Sequence, residues 1–318
     1  MGVIDAIAEG CFAVARRPIV MAPVVALDLF YWLGARLTIA PLVEALIHSL
    51  QSSTGPGVDA TTVDALRQYE QTSNLFTLLA LGQKPLLPSL LPEQIARPWA
   101  QGVFDLDRWW LLLPCIAGLA LVGLLVLALP LAALGQVVRE EPFSPLHIAR
   151  QTPRIWLRML GLLAVILAGL TIVGLPALIV MTLLAVVGIN PAPLLLLSVA
   201  PLAIIYVYLS LAPEAIAVSD VGPLRAIKLS ASVVRRNFWG MLGLLAATLL
   251  IGYGFPYGWA LLTKYVAGVL LAIVGNGVLA TGLLAAGMFY YRERLAALEG
   301  KAVGQPDQPA AERRDDKR

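Results

Sequence analysis

Three polar side chains that could do chemistry lie inside long apolar stretches: Asp28, Glu214 and Asn276. A carboxyl group in such a stretch can relay a proton or an ion, and this is one interpretation of Asp28. The other is a structural hydrogen bond, with Tyr31 as its donor one helical turn away. We expect Glu214 to pair with a cation of the segment 225–236. We expect Asn276 to bond a neighbouring helix.

No familiar catalytic or metal-binding pattern accompanies these three residues. The chain has no G-x-S-x-G, no phosphate-binding glycine loop and no H-E-x-x-H. Its two histidines, His48 and His147, are far in sequence from its two cysteines, Cys11 and Cys115, so no zinc-type ligand set is formed. The sequence therefore predicts a protein that is not an enzyme and that binds neither a cofactor nor a metal.

The composition is that of a membrane protein. Of 318 residues, 59% are hydrophobic and 14% are charged, and the mean hydropathy is +0.80, whereas soluble domains are nearer half apolar and a quarter charged. Backbone groups in lipid must bond within their own segment, so the apolar runs must be helices. The predicted fold class is all-α, a polytopic membrane protein. The net charge of +3 gives no indication of nucleic-acid binding.

Six transmembrane helices are predicted, arranged as three helical hairpins within one membrane domain, residues 1–298. The segment between the first two spans, 47–107, combines helical spacing with several prolines, so we expect it to lie on the membrane surface or to cap the bundle. The polar tail 299–318 is predicted to be disordered. The predicted spans are 18–46, 108–137, 157–188, 192–217, 238–263 and 266–291.

The basic residues predict the orientation. The two termini, the loops 138–156 and 218–237, and Arg158 just beyond the first loop together carry 17 of the 23 Lys and Arg residues. Positive charge accumulates on the cytoplasmic side of a membrane. We therefore expect a multi-pass protein of the cell (cytoplasmic) membrane with both termini in the cytoplasm.

The segment GPLRAIKLSASVVRRNFW, 222–239, has the pattern of a basic amphipathic helix. Such a helix can lie among the headgroups of the inner leaflet, where its cations meet anionic lipid. Helical spacing predicts an apolar face and, about 100° away, a polar stripe. The apolar face consists of Leu224, Ile227, Ala231, Val234 and Phe238, and the stripe of Arg225, Lys228, Ser232 and Arg235.

This basic segment has two further copies. SPLHIARQTPRIWLRMLGLL, which begins at Ser144, resembles it up to a shared MLGLL, and DAIAEGCFAVARRP near the N-terminus resembles it less closely. The sequence thus predicts three units, each an interfacial helix followed by a hairpin. The cations either anchor and orient the spans or bind lipid or a partner protein. The candidate binding residues are Arg225, Lys228, Arg235, Arg236, Arg150, Arg154 and Arg158.

The stretch LAPEAIAVSDVGPLRAIKLSASVVRRNFWGMLGLL, 211–245, resembles the segment typical of the glycerophosphoryl diester phosphodiesterase membrane-domain family and related six-span bacterial membrane proteins. The resemblance implies a membrane module. It does not imply phosphodiesterase activity, because those enzymes carry a soluble catalytic barrel with no counterpart in these 318 residues. The matching residues are Pro213, Glu214, Gly222, Pro223, Ala226, Ile227, Ser230, Arg235, Arg236, Phe238 and Trp239.

Two functions are compatible with these patterns. The first is a non-enzymatic integral membrane protein that interacts with anionic lipid of the cytoplasmic leaflet, organises the membrane or binds a protein partner subunit. The second is a small transporter or permease subunit for a hydrophobic or lipid-like cargo, with a polar cavity near Asp28 and Asn276.

Overall fold

A computed structural model describes residues 2–53, 60–72, 74–81, 98–99, 101–188, 190, 192–298 and 300. Two 3-10 helices, Pro18–Met21 and Leu75–Ala80, and two short strands, β1 (Arg36–Thr38) and β2 (Val103–Asp105), accompany the α-helices. The tail predicted to be disordered lies outside the described residues except for Gly300. The helices are α1 (Val3–Arg16), α2 (Ala22–Leu33), α3 (Ala40–Ser53), α4 (Ala60–Thr72), α5 (Trp109–Val138), α6 (Pro145–Val186), α7 (Ala192–Leu209), α8 (Ala212–Ser219), α9 (Pro223–Arg236), α10 (Phe238–Ala260) and α11 (Val266–Leu298).

The protein is an all-α polytopic membrane protein. Five segments of the described chain are long and apolar enough to cross a membrane: α5, α6, the stretch Leu196–Ser219 across α7 and α8, α10 and α11. They coincide with the last five predicted spans. A sixth span is present only if α1 and the helical segment Pro18–Leu33, which meet at an angle of 103°, are counted as one broken span.

The first predicted span, 18–46, is wrong as a single helix. α2 ends at Leu33, and Gly34 is extended, with φ −77° and ψ 175°. The following residues form β1, which pairs in parallel with β2, and α3 begins only at Ala40. The backbone of 36–38 therefore bonds to β2 instead of continuing the helix. Hydropathy records only the apolar side chains of this stretch and does not reveal the distant strand partner.

One described element of the segment 47–107, its 3-10 helix, packs on the bundle, whereas another, α4, packs on α3. The 3-10 helix Leu75–Ala80 packs against Leu27 of α2 and against α5. Gly123 makes this contact possible, since a Cβ atom there would lie 3.1 Å from the Cα atom of Leu79. The side chain of Asn74 starts the 3-10 helix by accepting a hydrogen bond from the backbone N–H of Phe76 at 3.1 Å.

The second interfacial segment is continuous with the span that follows it. α6 is one helix of 42 residues, capped at its start by Ser144, whereas α9 ends at Arg236 and α10 begins at Phe238. The stretch from Ser144 to MLGLL is four residues shorter than the stretch from Gly222 to the same motif. The prediction of a separate interfacial helix is therefore wrong for the second copy. This copy lacks four residues in the place of 237–240, where the third copy breaks between α9 and α10.

Each interfacial segment packs against the end of a span. α9 packs on α8 and α7, the start of α6 packs on α5, and α1 packs along α11. The contact of α1 is especially close at Gly10, where a Cβ atom would collide with the carbonyl oxygen of Gly282. We call the end of the bundle formed by α1, the loop 139–144, the start of α6, α9 and the end of α11 the basic face. The largest buried cluster joins residues of α1, α5, α6, α8, α9, α10 and α11.

We predict that Gly10→Ala lowers the thermal stability of the protein in detergent. Alanine is the better helix former by about 1 kcal/mol, but the added methyl group would overlap the backbone of α11, and overpacking costs about 1–3 kcal/mol. The measurement is the melting temperature. The matched control is Gly118→Ala in α5, where a Cβ atom meets nothing within 4 Å. Equal melting temperatures for the two variants would contradict the proposed close contact.

Candidate functional site

The helices of the first and third copies, α1 and α9, are buried in the same pattern. Both have 14 residues, and their buried positions coincide when the helices are aligned on their first residues. This correspondence supports the internal repeat, including its N-terminal copy, whose sequence resembles the others least. The buried residues are Ala6, Gly10, Ala13 and Val14 in α1, and Ala226, Ser230, Val233 and Val234 in α9.

The two helices also end in the same way. The backbone N–H of Arg17 donates to the carbonyl groups of Ala13 and Val14, and the backbone N–H of Asn237 donates to those of Val233 and Val234. Both capping residues leave helical geometry, with φ −139° at Arg17 and φ −131° at Asn237. In the second copy Thr152 and Ile155, which align with Ser230 and Val233, are buried as well. The repeat therefore specifies one scaffold at three places on the basic face.

The packed face of α9 differs from the predicted apolar face. Leu224 is 63% exposed, and Ile227 and Ala231 are only half-buried. The helix packs instead through its small residues Ala226 and Ser230, because small side chains let helix backbones approach in a membrane. The larger apolar residues flank this packed face, where they can contact lipid.

Ser230 joins α9 to the break between α7 and α8. Its hydroxyl group donates to the carbonyl oxygen of Tyr208 at 2.6 Å and accepts from the backbone N–H of Leu211 at 3.2 Å. A helix break leaves such backbone groups without partners inside the helix, and burial without a partner is costly. One side chain satisfies both groups and fixes α9 to the bundle.

The predicted cations of α9 are exposed and unpaired within the described part of the chain. Arg225, Lys228, Arg235 and Arg236 all lie on the surface, as the pattern predicts, and no ion pair among the described residues involves them. Their stripe lies on the side of α9 opposite the packed face. α9 thus presents four cations away from the core.

The three candidate arginines of α6 differ from one another. Arg150 is exposed, but Arg154 and Arg158 both pair with Asp220, Arg154 at 3.6 Å. Asp220 lies in the turn between α8 and α9 and has a left-handed backbone, with φ 50°. Sequence reasoning did not single out Asp220. The sequence feature that could have indicated it is an Asp two residues before the Gly222–Pro223 helix start. Asp is one of the few residue types that adopt positive φ in such turns.

Asp28 and Asn276 bond each other inside the bundle. The side-chain amide of Asn276 donates to the carboxylate of Asp28 at 3.0 Å, and both residues are buried. Asn276 therefore bonds a neighbouring helix, as expected. The expected donor Tyr31 instead bonds the carbonyl oxygen of Phe76 at 3.0 Å, because the 3-10 helix reaches into the bundle beside it.

Glu214 lies in the core and not beside the cations of α9, so the predicted ion pair is wrong. The residue is only 4% exposed. Its carboxylate lies close to Gly287 of α11, where a Cβ atom would be 3.0 Å from Oε1. The exposed cations project from the side of α9 opposite its packed face, and no ion pair among the described residues joins them to Glu214.

A cleft that sequence reasoning missed opens at the basic face between α1, the end of α5 and α11. Its volume is about 570 Å³. Arg292 closes one side by donating to the carbonyl oxygen of Val138 and, at 3.0 Å, to the carboxylate of Glu140. The sequence feature that indicates this cleft is the pair Arg16 and Arg17 at the end of α1. The charged residues that line it are Glu9, Arg16, Arg17, Glu140, Arg292 and Glu293.

No protein-family model, no curated protein and no solved structure matches the chain. The resemblance of residues 211–245 to a phosphodiesterase membrane domain therefore stays a prediction. Among the described residues no three His, Cys, Asp or Glu side chains lie together as metal ligands would.

We predict that Ser230→Ala lowers the melting temperature because it leaves two buried backbone groups at the α7–α8 break without a partner. The expected cost is about 1–3 kcal/mol. The control is Ser232→Ala, two residues away, whose exposed hydroxyl bonds only the carbonyl oxygen of Lys228 in its own helix. Thermal unfolding in detergent should separate the two variants. A control variant as unstable as Ser230→Ala would argue against a special role of the break.

Proposed function

We propose that the protein is a non-enzymatic integral membrane protein that binds anionic lipid of the cytoplasmic leaflet through the cations of α9, with Arg150 of α6 as an additional contact. The observation that supports this most directly is the exposed stripe of four unpaired cations on a helix whose opposite face is fixed in the core. In this proposal both termini lie in the cytoplasm, and the membrane is the cell membrane.

The surface of α9 is divided as lipid binding requires. The packed face holds the helix against α7 and α8, the flank with Leu224 is exposed and apolar, and the remaining side is basic. A helix in the headgroup layer needs an apolar surface toward the acyl chains and cations toward the phosphates. Because the helix is fixed in place, little conformational entropy is lost when lipid binds.

The three copies are not equivalent in charge. In α1 the positions that correspond to Lys228 and Arg235 are Ala8 and Ala15. In α6 two of the three candidate arginines are engaged by Asp220. The repeat therefore supplies a common scaffold, and we assign anionic lipid binding chiefly to α9.

A protein partner on the same stripe and a transporter are the other predicted functions. A partner would need acidic groups spaced to meet the same cations, and the experiment below detects it as a bound chain. The transporter hypothesis relied on Asp28 and Asn276, and their bond to each other favours a role in packing.

The test compares two triple variants of equal charge. Arg225→Gln, Lys228→Gln and Arg235→Gln together should weaken retention of phosphatidylglycerol by about two orders of magnitude, since each cation near an anionic surface is worth about 1 kcal/mol. Arg67→Gln, Arg108→Gln and Lys264→Gln remove three exposed cations elsewhere and should leave retention unchanged. Native mass spectrometry of the purified protein measures bound lipid. Equal retention by the two variants would refute the assignment to α9.

A further inference from the structure

The cleft between α1, α5 and α11 has a charge composition unlike that of α9. Three arginines and three glutamates line it, whereas α9 carries four cations and no acidic residue. A volume of about 570 Å³ is within the range of small-ligand sites. Its apolar wall consists of Ala13, Val137 and Phe289.

One cationic atom of the cleft is buried without a partner. Nη1 of Arg17 is shielded from solvent and makes no hydrogen bond with the described residues. The guanidinium group lies 5.7 Å from the ring centre of Phe143, within the range of a cation–π contact. A buried guanidinium donor without an acceptor is unfavourable. Because Arg17 lines the cleft, a rotation of its side chain would expose this donor to an anion bound there, which would supply the acceptor.

The other cations of the cleft are engaged to different degrees. Arg292 is committed to the end of α5 and to Glu140. Arg16 is 73% exposed and meets Glu9 only at 3.8 Å, a distance too long for a good hydrogen bond. Arg16 and Arg17 can therefore both turn to an anion, and Glu9 can then accept from a different donor.

We propose that this cleft binds the headgroup of one zwitterionic phospholipid, with the phosphate at Arg16 and Arg17 and a primary ammonium group at Glu9. The proposal rests on the proposed function, because it takes the basic face as a lipid-binding surface, and it adds a second site with a different ligand. Arginine suits phosphate because its planar array of donors can bond two oxygens at once. A carboxylate beside that position favours an ammonium group over an uncharged glycerol.

The chemistry also ranks the lipids. A primary ammonium group has three N–H donors, so phosphatidylethanolamine can satisfy both Arg17 and Glu9. Phosphatidylcholine has no N–H on its ammonium group and loses the bond to Glu9. The phosphate of phosphatidylglycerol can accept from the arginines, but its headgroup offers no ammonium group to Glu9. The α9 stripe, which has no carboxylate, should instead prefer the lipid with net negative charge.

The experiment titrates delipidated full-length protein, in a neutral detergent, with phosphatidylethanolamine, phosphatidylglycerol, phosphatidylcholine, glycerophosphoethanolamine or inorganic phosphate. Native mass spectrometry counts the bound molecules. We expect one tightly held phosphatidylethanolamine, weakened at least tenfold by Arg17→Gln. Glu9→Gln should lower the preference for phosphatidylethanolamine over phosphatidylglycerol about fivefold while the phosphate contact is kept. Arg225→Gln, on α9, is the control and should leave the bound phosphatidylethanolamine in place.

Three results would overturn the proposal. These are binding of phosphatidylethanolamine that does not depend on Arg17, a lipid preference that Glu9→Gln does not change, and binding of inorganic phosphate alone. Binding of glycerophosphoethanolamine that depends on Arg17 supports headgroup recognition. If Arg17→Gln impairs folding, the exposed Arg16→Gln replaces it, and unchanged affinity for phosphatidylethanolamine in that variant counts against the site. The proposed function fails on a different result. It fails if retention of phosphatidylglycerol does not depend on the cations of α9.

Discussion

Helix ends that are buried at the basic face must find donors within the protein for their last carbonyl groups, because a buried carbonyl group without a partner is costly. Val138 and Ala217 are both buried. Neighbouring elements provide these donors. Arg292 of α11 bonds the carbonyl oxygen of Val138 at the end of α5, and Arg139, just after α5, bonds that of Ala217 in α8 at 2.8 Å. Cations are well suited to this position because they also meet the negative end of the helix dipole. These cross-links between helix ends hold α5, α8 and α11 together at the basic face.

The requirement for helix-end donors divides the arginines of the basic face into two groups. Arg139, Arg158 and Arg292 connect helix ends or the turn that follows one. The cations of α9 make no such connection within the described residues and remain available to ligands. A count of positive charge predicts which side of the membrane this face adopts, but it does not separate the two groups. Only the structure distinguishes the arginines bonded to helix ends from the unpaired cations of α9, and the second group forms the candidate binding surface.

The sequence predicts the last five spans and α9 well, because long apolar runs and a clear amphipathic period dominate there. It does not predict the break after Leu33, where a strand partner takes over the backbone bonds. It also selects the wrong packed face of α9, since hydropathy favours Leu224 whereas close packing in a membrane favours Ala226 and Ser230. The cleft escapes prediction because its arginines and glutamates come from α1 and its C-terminal end, the loop after α5 and the end of α11, which are far apart in sequence.

The contact between α1 and α11 closes the repeats into a ring. α6 follows α5 and packs on it, α9 follows α8 and packs on it, and α1 takes the same place beside α11 although the chain does not connect them in that order. A ring of this kind has no intrinsic first member. The position of the start of the chain therefore matters for the sequence in which the hairpins are synthesised and inserted, and much less for the contacts of the finished bundle. A protein that began at α9 and joined α11 to α1 would contain the same neighbours.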